Sequence, residues 1–546
     1  MAYLQYLMKN TESWQNLTIF ALSKTMQFCK TTLKSFDMKK SVILVITVLI
    51  CCASGLYAQE NFRFLGTNDQ LWSDAGNWEN GLKPDNAQAT AYLLSSVIVD
   101  EDASVMNLVY DASAVSVTIA SGNKLTVNGL ITPFEGLSLA QSLIVEDSAQ
   151  LLYGHAVQAT VRSKISPYYN VKETAAWHFI ASPLAGELHP TELDSLVYEG
   201  ANYELMRFNQ SHVGGEWERY KDEAYQSSFL IENGQAYLYA NGSEVTVSYV
   251  GEILPNDQPF SIDLVYNGAS NVVAKGINLV GNPFACDAYS DRSYYKMNAE
   301  GKDVELVRAS ANEPIAPCTG VMAHAFATGQ SVSFSRSPFG ADKGCVRLTL
   351  KSNGAVVDES ILSFNEGDEI GKFYFTEHTA QLYFRQNNWN CAIVSAEPPC
   401  EQPIHFKTTA NGTFTLTVTP ENVALNSLYL VDNMTGADIN LLNTPSYSFS
   451  ATTSDFASRF KLFVNTNHGV GETSELENFA YYSNGNIVLQ GVEGDCTLEV
   501  IDMLGRIVKT QRVTNSENVV GIQTSGLYLL RLANGKTVRT QKLMVW

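Results

Sequence analysis

Alternating apolar and polar residues dominate the chain after Gln59. Clear examples are residues 115–119, 244–249 and 413–419, in which every second side chain is apolar. A period of two places the apolar side chains on one face of a half-buried strand. Long amphipathic helical patterns are absent, so the sequence predicts an all-β protein. Asn-Gly pairs, which favour tight hairpin turns because both residues tolerate positive φ, separate these segments and begin at residues 233, 241, 353, 411, 484 and 534.

Residues 59–165 form the first predicted module. Its apolar strands are short and closely spaced, and it opens on the tryptophan-rich segment 71–78 (LWSDAGNW). This rhythm resembles the start of a parallel β-solenoid, as in many bacterial surface proteins with a similar opening. The resemblance implies stacked coils, with the tryptophan segment covering the first coil. An antiparallel β-sandwich is the alternative interpretation.

Residues 166–340 contain an internal repeat. The segment 177–187 (WHFIASPLAGE) aligns with 277–287 (INLVGNPFACD) at a constant offset of 100 residues. Each copy is a short apolar strand that ends in a small-polar-Pro turn, where proline stops the strand. The repeat predicts a duplicated β module, and a catalytic loop is the weaker alternative. The chain is predicted to continue with a β-sandwich module at 341–466, a linker at 467–475 and a last module at 476–546.

A segment near the N-terminus has the composition of an export signal. Residues 38–40 (MKK) are basic, residues 42–52 are almost entirely apolar, and small residues then lead to a predicted cleavage between Ala58 and Gln59. The apolar core is too short for a comfortable transmembrane helix. Residues 38–58 are therefore predicted to be a cleaved signal peptide.

Composition limits the class of protein. The chain has 546 residues, 45% of them hydrophobic, and a mean hydropathy of −0.07, which excludes a wholly disordered chain and a polytopic membrane protein. The formal net charge of −20 argues against nucleic acid as a partner, because binding phosphates requires clustered cations. Residues 1–37 are expected to be a mis-annotated extension, with translation starting at Met38.

Six of the nine cysteines follow the predicted cleavage site. Outside the cytoplasm they can pair in many ways, between which the sequence does not choose. Cys391 and Cys400 are close enough to bridge one loop and are the candidate disulfide. The sequence contains no Cys-x-x-Cys pair, so structural zinc and thioredoxin-type redox chemistry lack support.

Recognisable catalytic patterns are missing from the sequence. It contains no His-Glu-x-x-His, no Gly-x-Ser-x-Gly, no phosphate-binding glycine loop and no dinucleotide fingerprint. No cofactor, metal site or catalytic residue is therefore predicted, and the protein is expected not to be an enzyme. The acidic clusters 100–102 and 366–369 are interpreted as solvated turns rather than Ca²⁺ ligands. Seven aromatic residues would stack on sugars if exposed, although core packing is the usual fate of such rings: Trp217, Tyr220, Tyr237, Tyr239, Tyr294, Tyr295 and Trp389.

The C-terminal module carries the strongest family signal. Residues 498–508 are predicted to form a strand, a tight turn at 502–506 (DMLGR) and a second strand. Two further strands follow, one at 526–532 (GLYLLRL) and a final one that contains a lysine. In this order, behind a signal peptide, they resemble the type A C-terminal sorting domain of proteins exported by the type IX secretion system (Por secretion) of Bacteroidetes. The resemblance implies an Ig-like β-sandwich. The residues that carry it are Asp502, Gly505, Arg506, Gly526, Leu527, Tyr528 and Lys542.

The resemblance implies a secreted or outer-membrane surface protein that travels through the periplasm. Its expected partners are the type IX secretion machinery, the C-terminal signal peptidase of that system and surface lipopolysaccharide. The triplets at 147–149 and 194–196 resemble the Asp-Ser/Thr-apolar O-glycosylation sites of exported proteins in this phylum. Ser148 and Ser195 are therefore candidate glycosylation sites, and unmodified surface turns are the alternative.

Together these features favour a non-enzymatic adhesin or structural/interaction protein, with a glycan or a host-matrix component as its ligand. The alternative is a carbohydrate-active enzyme or a carbohydrate-binding protein built on the β-solenoid. The sequence alone identifies no ligand.

Overall fold

Strands dominate the computed structural model, which confirms the predicted all-β fold. The chain forms two compact units that divide between Thr466 and Asn467. The described residues contain two single-turn α-helices, α1 (Leu139–Ser142) and α2 (Glu223–Gln226), and four short 3-10 turns. None of the helices among them is long and apolar enough to cross a membrane. The structure describes residues 60–112, 115–167, 176–197, 202–267, 274–466, 479–483, 485–489, 495–502, 506–514, 518–522, 524–534 and 538–545.

The first unit begins with short strands whose described pairings with one another are all parallel. This excludes the antiparallel β-sandwich alternative for this region, while the solenoid-like interpretation stays a prediction. The strands are β1 (Asn61–Phe64), β2 (Thr90–Leu93), β3 (Val97–Val99), β4 (Ala103–Val105), β5 (Asn107–Tyr110), β6 (Val117–Ile119), β7 (Lys124–Val127), β8 (Ile131–Thr132), β9 (Leu143–Val145), β10 (Gln150–Tyr153) and β11 (Val157–Ile165).

These strands build three sheets, in the orders β1-β2-β5-β8, β4-β7-β10 and β3-β6-β9-β11. We call them the parallel stack. Trp72 and Trp78 are fully buried in its core, with their rings edge to face at 4.7 Å. The indole N–H of Trp78 donates to the carbonyl of Trp72 (2.9 Å), so the tryptophan-rich opening is fixed by its own hydrogen bond as well as by packing.

The next strands of the first unit run from 178 to 335. Their described pairings with one another are antiparallel, and most of them join strands that are not consecutive in the chain. The strands are β12 (His178–Ala181), β13 (Tyr203–Phe208), β14 (Trp217–Arg219), β15 (Ala236–Asn241), β16 (Val245–Ile253), β17 (Phe260–Asp263), β18 (Ile277–Gly281), β19 (Tyr289–Ser290), β20 (Tyr294–Met297), β21 (Val304–Val307), β22 (Gly320–His324) and β23 (Ser331–Ser335).

The parallel stack ends on an antiparallel partner. β16 pairs with β11 over nine residue pairs, from Val157 opposite Ile253 to Ile165 opposite Val245. The ladder joins strands on either side of the predicted module boundary at 165/166. One hydrophobic core also continues across that position.

The two copies of the sequence repeat begin two sheets with the same strand order. One sheet runs β12-β15-β13-β14 and the other β18-β22-β20-β21. Their contact is reciprocal, because Ile180 bridges to Thr319 just before β22, and Val280 bridges to Gln235 just before β15. Each bridge therefore joins the first strand of one sheet to the residue before the second strand of the other. This symmetry relates the two sheets by an approximate two-fold axis.

The last strands of the first unit form one hydrogen-bonded sheet, and most of their buried apolar residues share one hydrophobic core. The sheet runs β32-β31-β34-β29-β27-β28-β25-β24-β30-β33, with β26 added on β28. Its strands are β24 (Cys345–Ser352), β25 (Ala355–Ser363), β26 (Ile370–Gly371), β27 (Ala380–Gln386), β28 (Trp389–Ser395), β29 (Cys400–Thr408), β30 (Gly412–Glu421), β31 (Leu425–Asp432), β32 (Ala437–Asn440), β33 (Ser446–Ala451) and β34 (Phe460–Thr466).

The second unit has two sheets around one core, in the orders β35-β36-β39 and β38-β37-β40-β41. This is a small β-sandwich, as the sequence predicts for the C-terminal module. Its strands are β35 (Ala480–Ser483), β36 (Asn486–Leu489), β37 (Cys496–Asp502), β38 (Ile507–Val513), β39 (Val519–Gly521), β40 (Gly526–Ala533) and β41 (Val538–Val545).

Candidate functional site

A cavity of about 330 Å³ lies in the first unit. Strands β20 and β21 supply one part of its wall, and β25 and the segment 372–378 supply the rest. Ionisable side chains reach it from several of these elements, which makes it the best candidate site for chemistry or binding. Its lining residues are Tyr295, Asn298, Asp303, Val304, Glu305, Leu306, Val356, Val357, Asp358, Glu359, Lys372, Phe373, Tyr374 and His378.

Lys372 and Asp358 form a buried ion pair at this cavity. Nζ of Lys372 lies 2.8 Å from Oδ1 of Asp358, and the two side chains expose only 6% and 5% of their surface. Nζ also donates to the carbonyl oxygen of Glu359 and, at 3.4 Å, to Oγ of Ser360. Burial lowers the pKa of the Lys372 ammonium, although the Asp358 carboxylate acts in the opposite direction. The amine is therefore closer to neutrality than that of an ordinary lysine.

The second oxygen of Asp358 is held by two donors. Oδ2 accepts the hydroxyl of Tyr374 at 3.2 Å and the backbone N–H of Leu382 at 2.6 Å. Burial raises the pKa of Tyr374 well above its ordinary value, so its hydroxyl stays protonated and donates. The carboxylate is thus asymmetric, with Oδ1 against the ammonium and Oδ2 against two neutral donors.

His378 and Asp303 form a second pair on the same wall. Nε2 of His378 lies 3.0 Å from Oδ2 of Asp303, and Nδ1 lies 2.8 Å from the carbonyl of Val357. Two acceptors fit the doubly protonated ring. The hydrogen bond with Asp303 raises the pKa of His378. Burial would raise the pKa of Asp303, but the hydrogen bonds from His378 and its other donors lower it on balance.

The other carboxylates of the lining are also paired. Glu305 lies 3.3 Å from Nζ of Lys296, and Glu359 lies 3.4 Å from Nη1 of Arg347. The Tyr295 hydroxyl donates to the carbonyl of Gly371 at 3.0 Å. Every ionisable side chain of the cavity wall therefore has a protein partner.

Only Tyr295 among these residues is a candidate from the sequence alone. The others come from segments far apart in the chain, which meet where two different sheets and the segment 372–378 pack together. One signal was available, since Lys372 is the only charged residue in the apolar run 370–375 (IGKFYF). A cation in such a run must find a buried partner or leave the core.

The aromatic residues considered for sugar stacking are mostly in the core. Tyr237 and Tyr239 expose 2% and 0% of their surface, and their hydroxyls donate to the carbonyls of Leu230 and Leu196. Trp217 and Trp389 are half-buried. The remaining rings of that set, which are also buried, are Tyr220, Tyr294 and Tyr295.

The acidic clusters have structural partners. Asp100 accepts both the backbone N–H and the hydroxyl of Ser73. Asp368 is 2% exposed and accepts the hydroxyls of Ser310 and Ser363, so the interpretation of 366–369 as a solvated turn is wrong for this residue. Within the described ranges, no group of three or more His, Cys, Asp or Glu side chains could hold a metal ion.

The candidate disulfide is not formed in the structure. Cys391 is buried on β28, Cys400 is half-buried at the start of β29, and both are free thiols. Burial raises the pKa of the Cys391 thiol to about 12 and that of Cys400 to about 11. The other free cysteines among the described residues are Cys286, Cys318, Cys345 and Cys496.

Both candidate glycosylation serines have the same local geometry. Ser148 and Ser195 are exposed, and both have positive φ, at 61° and 67°. Each is followed by a buried apolar residue, Ala149 or Leu196, which anchors the turn. The hydroxyls are accessible, and whether they are modified stays a prediction.

The sorting-domain residues lie on the second unit. Asp502 ends β37 and binds Arg506 twice, through the backbone N–H at 2.9 Å and the guanidinium Nε at 2.8 Å. The Asp502 carboxylate therefore holds the two ends of the turn together by hydrogen bonds, while the Arg506 side chain stays 71% exposed. Gly505, in the middle of this turn, lies outside the described residues, as do Ala58, Gln59 and the predicted signal peptide.

The remaining motif residues lie on the last two strands. Gly526, Leu527 and Tyr528 begin β40, and Lys542 is exposed on β41 opposite Leu529. Tyr528 is buried and its hydroxyl donates to the carbonyl of Thr524 at 3.1 Å. The motif thus combines core and surface positions of one sheet.

Comparison with known proteins identifies the second unit. The model of the family described as "Secretion system C-terminal sorting domain" matches residues 483–546. The C-terminal region is therefore a type IX secretion sorting domain, and the protein is secreted or displayed on the cell surface. No curated protein matches the chain.

Proposed function

We propose that this exported chain is a non-enzymatic protein that acts by binding, as an adhesin or structural/interaction protein. The observation that carries the proposal is the complete pairing of the ionisable side chains around the cavity. A general base or nucleophile needs a group that can exchange a proton with a substrate. In this cavity Lys372 is paired with Asp358 and His378 with Asp303, so these groups contact each other rather than a bound ligand, which favours binding over proton exchange with that ligand.

The cavity chemistry favours a small uncharged ligand with several hydroxyl groups. Each of its carboxylates has a cationic partner, so the wall offers fixed hydrogen-bonding groups rather than unpaired charges. About 330 Å³ lies at the lower end of the range of ligand pockets and suits one sugar unit. A glycan terminus, free or on a host-matrix glycoprotein, is accordingly the proposed ligand class.

Export adds partners of a different kind. The sorting domain implies interaction with the type IX secretion machinery. We further propose the C-terminal signal peptidase and surface lipopolysaccharide as partners of this route, because they act on exported chains of this class.

A glycan and host-matrix array, run together with a polysaccharide-degradation assay, tests the proposal. Val356 lines the cavity and is 55% exposed, so Val356→Trp should fill the entrance and weaken binding at least about ten-fold. The matched control is Val213→Trp, at 54% exposure away from the cavity lining. Sugar release by the unmodified protein, or binding that Val356→Trp leaves unchanged, would contradict the proposal.

A further inference from the structure

We propose that Lys372 and Asp358 condense into an intramolecular isopeptide bond between Nζ and Cγ. The two side chains are in direct contact, with Nζ 2.8 Å from Oδ1, and almost no solvent reaches them. This covalent modification goes beyond the proposed binding function and does not depend on it. It would join β25 to the segment that follows β26 by a bond that neither pH nor salt can break.

The surroundings of Asp358 suit attack on its carboxyl carbon. Tyr374 and the N–H of Leu382 both donate to Oδ2, the oxygen that becomes negative when the amine adds. Two fixed donors at that atom are the arrangement that stabilises a tetrahedral intermediate. Oδ1, which faces Nζ, is then the oxygen that leaves.

The step balances without any other reactant. A proton passes from Nζ to Oδ1, and the neutral amine adds to Cγ. The N–C bond forms, the C–Oδ1 bond breaks, and a second proton from nitrogen leaves with Oδ1 as water. An ammonium and a carboxylate thereby become one neutral amide and one water molecule.

Burial favours both the start and the end of this step. It lowers the pKa of Lys372 and so increases the fraction of neutral amine that can attack. The product is a neutral amide, so the free-energy cost of burying two charged groups in the protein interior is removed. A pair of similar contact, Lys461 with Glu401 at 2.6 Å, exposes 36% and 34% of its side chains and lacks this drive.

Peptide mapping of the full-length chain tests the proposal, since its readout does not depend on how the ends are processed. A glutamate-specific protease cuts after Glu359, Glu366 and Glu369, all between Asp358 and Lys372. With the isopeptide bond, the flanking fragments stay joined and are lighter by one water. Trypsin then fails to cut after Lys372, which distinguishes the bond from a water-losing succinimide at Asp358.

Substitutions test which side chains form the bond and which group assists the reaction. Lys372→Arg should abolish the joined fragments, whereas Asp358→Asn should retain them, because the amide can leave ammonia instead of water. Tyr374→Phe should slow formation by removing one donor to Oδ2. Lys461→Arg is the control and should leave the joined fragments unchanged. Separate fragments from the unmodified chain, with full tryptic cleavage after Lys372, would show a plain ion pair and overturn the proposal.

Discussion

A Cβ atom placed on Gly281 would lie 2.5 Å from the Cβ of Ala181, the residue at the equivalent position of the other repeat. The same relationship holds between Gly320 and Ala236, where the distance would be 2.2 Å. In both pairs one copy has glycine and the other alanine. Only one methyl group fits where the two sheets approach, so the two copies cannot both have alanine at either position of this contact.

Gly281→Ala should therefore destabilise the first unit by about 1–3 kcal/mol through overpacking. The added Cβ would also approach the backbone oxygen of Gln235 at 2.6 Å, which cannot easily move. Adding Ala181→Gly should recover part of the loss by removing the opposing methyl. Urea unfolding of both variants gives the values. Gly186→Ala, with no atom within 4 Å of the new Cβ, is the control, and an equal loss there would contradict the steric account.

The buried pair of Arg459 and Asp432 should be far more costly to break than a surface pair. Their side chains expose 2% and 0%, with Nη2 3.0 Å from Oδ2. Arg459→Met leaves an unpaired buried carboxylate, and we expect a loss of about 3–5 kcal/mol. Arg63→Met, which breaks the exposed pair with Asp111, should cost about 0–1 kcal/mol. Chemical denaturation compares the two, and similar losses would contradict the assignment.

The pair of His378 and Asp303 should make stability depend on pH. The raised pKa of His378 means that its contribution is complete below its ordinary value of 6.5 and is lost as pH rises through the raised pKa. The lowered pKa of Asp303 means that its contribution is present above 3.8 and is lost as pH falls through the lowered pKa. His378→Gln should thus cost on the order of 1 kcal/mol at about pH 5 and less at about pH 9.

Thermal unfolding at the two pH values measures this difference. His155→Gln, at an exposed histidine, is the control for the substitution itself and should cost little stability. A cost of His378→Gln that is the same at both pH values would rule out the charged pair.

Removal of residues 476–546 should retain the protein in the periplasm, because the sorting domain lies within them. Surface labelling of intact cells and fractionation measure the effect. Val213→Trp, a change at an exposed position of the first unit, should be exported normally. Surface labelling that still detects the truncated chain would refute the prediction.

Ser148 and Ser195 should carry glycans when the protein is produced in a type IX-secreting host. Peptides that contain them should be heavier than their sequences, and Ser148→Ala or Ser195→Ala should remove the added mass at that site alone. Ser121→Ala, in an exposed turn without the triplet, should change nothing. Unmodified peptides at both serines would support plain surface turns instead.

The sequence was sufficient for features that depend on local pattern. Alternation predicted the strands, and the turn between Asp502 and Arg506 identified the sorting domain, because both depend on neighbouring residues. The repeat was visible at β12 and β18, where apolar strands end in similar proline turns. It was not visible at β15 and β22, since packing positions tolerate many apolar side chains and the two segments have diverged.

The cavity was beyond sequence reasoning for a different reason. Asp303, Asp358 and His378 belong to three separate segments, and only the packing of two different sheets and the segment 372–378 brings them together. Likewise, nothing in the local sequence of Asp368 shows that Ser310 and Ser363 bury it. Non-local contacts of this kind have no periodic signature.

The ladder between β11 and β16 decides how the N-terminal region can vary in length. Nine residue pairs occupy the outer edge of β11, so no further parallel strand can be added there, either from the same chain or from a neighbouring molecule. Insertions or deletions of parallel strands are therefore confined to the segments before β11, whose described strands pair in parallel with one another. A change in the number of parallel strands would therefore alter the length of the N-terminal region and leave the pairing of β11 with β16, and the strands that follow it, unchanged.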